Sequence, residues 1–176
     1  ITGFGYRKDP RIEELLQGRN VRKDLVLIFD CKEENISLTK EEALRGNIIY
    51  HYGGLILSDL RSAKGLKLPD KIGGSLDLNG LRSAEGLKLP DKIRGNLWLN
   101  GLGSAEGLKL PNEIGGSLDL CGLRSAEGLK LPDEIGRNIF LTSLESFEGL
   151  DLSSNLISKM VFSDKIENQL KNQKTL

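Results

Sequence analysis

Apolar residues in the middle of the chain recur with a step of 21. Leucine or isoleucine stands at 55, 76, 97, 118 and 139, and leucine stands again two residues on, at 57, 78, 99, 120 and 141. With the first of each pair counted as coil position 1, position 6 is Leu in every copy, and so are positions 12 and 14. Position 9 is Ala63, Ala84, Ala105, Ala126 and then Phe147; position 18 is Ile72, Ile93, Ile114, Ile135 and then Leu156. A fixed period of this length signals stacked coils rather than a closed globule. Side chains alternate along a strand, so positions 1 and 3 point the same way. Each coil is therefore predicted to carry one short strand with its leucines turned inward. A lone coil cannot cover that apolar side, so the coils must stack to bury it. Glycines at positions 11 and 20 mark sharp turns or close approaches to a neighbouring coil. Pro69, Pro90, Pro111 and Pro132 lack an amide donor and are predicted to end an extended segment.

The flanks lack this regularity. Asp9-Pro10 reads as an N-cap followed by proline at the first helical position, with Ile12, Leu15 and Leu16 on one face of a short helix that Gly18 stops. Leu25 to Phe29 is a β-rich apolar run, and Ile36 to Leu38 a second extended piece. Thr39 and Glu42 fit a capping box for a helix cut short by Gly46. At the other end, Ile157, Met160, Val161 and Phe162 are expected to seal the stack, and Asp164 with Glu167 to start a helix running to about Asn172. The chain thus divides into an N-terminal cap with irregular coils (1–54), five 21-residue repeats (55–155) and a C-terminal cap with a short helix (156–176).

Leu76-x-Leu78-x-x-Leu81, repeated with Gly-Leu-x-Leu-Pro between copies, resembles a bacterial leucine-rich repeat over about 100 residues. The resemblance implies a repeat solenoid with one parallel strand per coil, a short extended or 3-10 return opposite, and short helices capping the ends. The place usually held by Asn is held here by Leu81, Leu102 and Leu123, while Asn79 and Asn100 stand two residues earlier in a column shared with Ser58, Cys121 and Thr142. The Ile-x-Gly-x-Leu-x-Leu segment also resembles the L-domains of growth-factor receptors, which are flatter stacks. Curvature accordingly lies between a horseshoe arc and a straighter solenoid, with modest curvature expected. Bacterial proteins of this kind often serve as interaction surfaces, including effectors delivered into host cells, and some carry a ubiquitin-ligase domain.

Charge and chemistry narrow the functions. The 25 basic and 25 acidic residues cancel, which argues against nucleic-acid binding through bulk positive potential. No apolar run approaches the roughly 20 residues of a membrane span, and no secretory signal is visible. The chain opens at Ile1, not Met, and is read as a candidate fragment. Cys31, Cys121 and His51 cannot furnish an ordinary structural zinc site. The unpaired cysteine spacing points to a reducing compartment, a bacterial cytoplasm or host cytosol. There is no P-loop, nucleophile elbow or zinc-protease helix, and Cys31 lacks a motif matching a ligase nucleophile. No cofactor, metal or catalytic residue is assigned, and the chain is read as a non-enzyme.

The outward positions remain. Position 10 (Lys64, Glu85, Glu106, Glu127, Glu148) and position 13 (Lys67, Lys88, Lys109, Lys130, Asp151) form charged columns read as a solvated face. Position 2, between the two inward leucines, reads Ile56, Asp77, Trp98, Asp119 and Phe140, and position 7 varies too, with Arg82 and Arg124 among its residues. Variation between near-identical copies gathers partly on these places, and Trp and Arg dominate interface energetics. Ile56, Asp77, Trp98, Asp119, Phe140, Arg82 and Arg124 are therefore the candidate partner-binding residues. The expected function is a protein-interaction module presenting its strand face, as part of a bacterial effector. The alternatives are the recognition portion of a larger enzyme such as a ubiquitin ligase, and a structural or adhesive repeat protein. The partner's identity and the oligomeric state are not legible in the sequence.

Overall fold

A computed structural model describes residues 36–37, 54–69, 72–152 and 155–173. The expectations for the segments 1–35 and 38–53, including the N-terminal helix, the 25–29 strand, the capping box at Thr39, Cys31 and His51, lie outside these residues.

The chain is a parallel β-solenoid. Strands β1 (Ile36–Ser37), β2 (Leu55–Ile56), β3 (Leu76–Asp77), β5 (Leu97–Trp98), β7 (Leu118–Asp119), β9 (Ile139–Leu141) and β10 (Met160–Phe162) form a seven-stranded sheet in that order. Each strand pairs in parallel with the equivalent strand of the next coil, so Leu55, Leu76, Leu97, Leu118 and Ile139 stand in one row. The 21-residue step continues from Ile139 to Met160, inside the segment assigned to the C-terminal cap, while Ile36 pairs with Leu55 across a shorter step of 19.

The interior is the row pattern made solid. Leu97, Leu99, Leu102 and Ile114 are fully buried, as are their equivalents in neighbouring coils. Position 14 is only half-buried, at Leu68, Leu89, Leu110 and Leu131, so it lines the margin of the core. Fully burying a large aliphatic side chain is worth roughly 1.5–3 kcal/mol, and each coil shares its leucines with two neighbours.

The return, expected as a short extended or 3-10 piece, is extended and pairs into a second sheet. Strands β4 (Lys92–Ile93), β6 (Glu113–Ile114) and β8 (Glu134–Ile135) make a three-stranded parallel sheet, extended by a bridge from Ile72 to Ile93. The buried isoleucine at position 18 holds the chain in register there, and the backbone then pairs coil to coil, as in Gly115 N–H to the Ile93 carbonyl (2.8 Å) and Gly136 N–H to Ile114 (2.8 Å). The ammonium of Lys159, in a 3-10 turn (Ile157–Lys159), donates to the carbonyl of Ile135 and so covers a backbone acceptor on β8, the last strand of this sheet.

Two tight turns shape each coil, and their glycines serve different ends. The first closes with the position 6 amide donating to the position 3 carbonyl, as in Leu102 to Leu99 at 3.1 Å. A Cβ on Gly101 here would run into the carbonyl oxygens of Asn79 and Leu81 in the preceding coil, so glycine permits the close approach. The second closes with the position 12 amide donating to the position 9 carbonyl, as in Leu108 to Ala105 at 3.0 Å, and Gly107 takes φ 71° in open space. A hydrogen-bonded turn with positive φ at its third residue matches type II, which favours glycine there.

Helix α1 (Asp164–Gln173) follows β10. Its first bond runs from Glu167 N–H to the Ser163 carbonyl at 3.1 Å, so Ser163 takes the capping place one residue before the Asp164 expected there. Asp164 lies instead in the first turn, where the helix dipole favours negative charge. Ile166 is fully buried and Phe162 nearly so, which ties the helix to the end of the stack.

Candidate interaction face

The outward side of the large sheet is three columns wide. Positions 1 and 3 face in, so the last residue of the preceding coil, position 2 and position 4 face out. The middle column brings five of the seven candidate residues into direct strand register: Ile56, Asp77, Trp98, Asp119 and Phe140, with Val161 continuing the row. Leu97 and Leu99 are both 0% exposed, while Trp98 between them is half-buried. All of the middle-column residues are similarly half-buried, with one side against the sheet and one open.

The flanking columns bond along the stack. In the column before position 1, Asn96 N–H donates to Ser75 Oγ (2.9 Å), Ser117 N–H to Asn96 Oδ1 (2.8 Å) and Asn138 N–H to Ser117 Oγ (3.4 Å). The alternation of Ser and Asn is thus a ladder of side-chain acceptors, each meeting the amide of the next coil.

Position 4 is satisfied in two ways that alternate with the middle column. Where position 2 is aspartate, its own carboxylate accepts the amide two residues on: Asp77 Oδ1 from Asn79 N–H (2.9 Å) and Asp119 Oδ1 from Cys121 N–H (3.0 Å). Such short-range carboxylate–amide bonds are the usual turn chemistry of aspartate. Where position 2 is aromatic, the ring cannot accept, and the preceding coil supplies the acceptor. Asn100 N–H bonds Asn79 Oδ1 at 3.1 Å. The aspartates and aromatics of the middle column therefore alternate within a hydrogen-bonding scheme that spans two coils. The Asn100 amide lies 2.5 and 3.0 Å from the two carboxylate oxygens of Asp119, and its nitrogen is assigned to that side because only that orientation gives the carboxylate donors.

Electrostatically this face differs from the rest of the molecule. From Gly54 to Thr142 the three outward columns hold Asp77 and Asp119 as their only charges. The lysines and arginines of the coils starting at 55, 76, 97, 118 and 139 fall at positions 7, 10, 13, 17, 19 and 20, except Lys159 at position 21, whose ammonium is held by the Ile135 carbonyl. Arg82 and Arg124 lie beyond the first turn, separated from the row by the buried leucine at position 6, and both are exposed. Arg124 pairs with Glu145 of the next coil at 3.0 Å. Among the described residues, ion pairs join Lys92 to Glu113, Arg124 to Glu145 and Lys171 to Glu167, and none joins Glu85, Glu106 or Glu127 to Lys88, Lys109 or Lys130.

Cys121 has no nucleophilic setting. Burial pushes its thiol above the ordinary range, and the hydrogen bond and negative charge of Asp119 push the same way, while bonds from Thr142 act against them. Thiolate, the reactive form, is thereby disfavoured. Among the described residues, no group of three His, Cys, Asp or Glu side chains is placed to hold a metal ion, and no helix is long and apolar enough to cross a membrane.

Sequence reasoning located the middle column but missed Asn100, which orients Asp119, and the capping role of both aspartates. The available signal was aspartate standing two residues before a turn amide, alternating with residues that cannot accept. Comparison of the chain with protein-family models, with curated proteins and with solved structures returns no match.

Proposed function

We propose that this solenoid is a protein-interaction module that presents the outer face of its large sheet to a partner protein, with binding rather than catalysis as its work. One observation carries the reading. Ile56, Asp77, Trp98, Asp119 and Phe140 stand side by side on a rigid sheet, and their column varies while the buried frame around it is copied almost unchanged. Half-exposed aromatic residues on a preorganised surface are the usual anchors of interfaces. The flanking columns support the reading, because their polar groups bond along the stack and leave the middle column to meet a partner.

The spacing Leu76-x-Leu78-x-x-Leu81 supports a finer assignment, an atypical bacterial leucine-rich repeat serving as the recognition part of an effector. The setting of Cys121 favours this over a ligase nucleophile at that position.

Affinity capture from the natural source with the intact chain, followed by mass spectrometry, would identify a partner. Capture of that partner should be lost in the double variant Trp98→Ala/Phe140→Ala and kept in Lys88→Ala/Lys109→Ala on the charged flank. Retention by the aromatic double variant would remove the large-sheet face from the interface.

A further inference from the structure

We propose that the partner inserts an arginine side chain into the notch over Asp119, between Trp98 and Phe140. This rests on the large sheet being the interaction face and specifies the chemistry it recognises.

The notch follows from register. Trp98 pairs with Asp119, and Asp119 with Phe140, so one aspartate stands between two aromatic residues in adjoining strands. Parallel strands lie about 4.8 Å apart, which puts the backbones of Trp98 and Phe140 about 9.6 Å from each other. A carboxymethyl group is shorter than either aromatic side chain, so the row dips at Asp119. The dip has a carboxylate floor and aromatic walls.

That floor is already in place. Cys121 N–H holds Oδ1 at 3.0 Å, and the Asn100 amide lies 2.5 and 3.0 Å from the two oxygens. The Cys121 thiol also hydrogen-bonds this carboxylate, so an incoming guanidinium takes the place of that weak S–H donor at one of the carboxylate's roughly four acceptor positions. Because the group is ordered beforehand, little conformational freedom is lost on binding. The Asp77 notch has one aliphatic wall, Ile56, in place of a second aromatic, and is the weaker site.

The surroundings favour a cation. From Gly54 to Thr142 the three outward columns hold Asp77 and Asp119 as their only charges, and Lys159, in the flanking column before Met160, is bonded to the Ile135 carbonyl, so no basic side chain within the face competes for the carboxylate. A planar guanidinium stacks on aromatic faces and bonds carboxylate with paired donors, which a compact ammonium cannot do. Arginine is therefore the side chain that uses both the floor and the walls.

Trp98 is the only tryptophan of the chain, so its emission reports on the notch directly. The full chain would be titrated with an acetylated, amidated hexapeptide of alternating glycine and arginine. The same peptide with citrulline in place of arginine keeps the shape and removes the charge. The arginine peptide should change the Trp98 emission saturably, and the citrulline peptide should not. Asp119→Asn should weaken the arginine peptide about tenfold, since it exchanges a charge-assisted bond for a neutral one. Asparagine can still accept from Cys121 N–H, and an unchanged circular-dichroism spectrum would verify that the fold is kept. Asp77→Asn should weaken it less than Asp119→Asn does. An unchanged emission, an equal response to citrulline, or full affinity in Asp119→Asn would overturn the arginine notch. A captured partner lost by Trp98→Ala/Phe140→Ala but held at full strength by Asp119→Asn would overturn the notch and keep the face. A partner held by both variants would overturn the face itself.

Discussion

The same coils build two sheets with opposite outer faces. The large sheet shows Asp77, Trp98, Asp119 and Phe140 in its middle row, flanked by Ser and Asn side chains that bond along the stack. The small sheet shows Lys92, Glu113 and Glu134, a row of solvated charges in which Lys92 and Glu113 pair at 2.5 Å. Beside that row, the backbone runs so close that a Cβ on Gly115 or Gly136 would strike the preceding coil's carbonyl at Arg94 or Gly115. One face satisfies its polar groups internally and offers aromatic area; the other offers charges that water already serves. A repeat array thus keeps one interior beneath two outer sides of different chemistry.

If the interior is common to both sheets, truncating it from either side should cost alike. Leu99→Ala beneath the large sheet and Ile114→Ala beneath the small one each remove a fully buried side chain, and each should lower unfolding free energy by about 2–5 kcal/mol in chemical denaturation. A cost confined to one sheet would break the picture of a shared core.

The turn glycines sharpen the contrast at a smaller scale. Gly101→Ala places a methyl against fixed backbone and should cost about 1–3 kcal/mol. Gly107→Ala meets no atom and bears only the left-handed conformation at φ 71°, for roughly 1–2 kcal/mol. Thermal unfolding of the two variants side by side would test the order. An easily accommodated Gly101→Ala would mean the coils are less tightly apposed at the first turn than at the second.

The smallest effect belongs to the outer row of the small sheet. Lys92 is 51% exposed and its pair with Glu113 is screened by water, so Lys92→Ala should shift stability by less than about 1 kcal/mol. A larger loss would show that this row is structural.

Much of the lattice was legible because it is written in large apolar residues at a fixed step. Leu76, Leu78 and Leu81 declare the strand and the first turn, and Gly86 with φ 74° the second. The pairing of the small sheet was not legible: Ile93 in Lys92–Ile93 has Asp91 and Gly95 two residues to either side, whereas Leu76 has Leu78, so no alternation marks the strand. The final strand was hidden by composition, since Met160, Val161 and Phe162 replace the Leu-x-Leu pattern although Met160 keeps the step from Ile139. At the candidate face, the outward direction of Trp98 followed from its flanking leucines. The bonds that order Asp119 did not, because Asn100 belongs to the preceding coil and acts across the stack.

On the function proposed, the large sheet's outer row serves recognition and adds little to the fold. Trp98→Ala, set beside Leu99→Ala one residue away, tests it most directly by measuring unfolding free energy and partner capture on the same samples. Trp98→Ala should stay within about 1 kcal/mol of the unaltered chain and lose the partner, while Leu99→Ala should lose about 2–5 kcal/mol. A Trp98→Ala chain as destabilised as Leu99→Ala that still captured the partner would contradict the account.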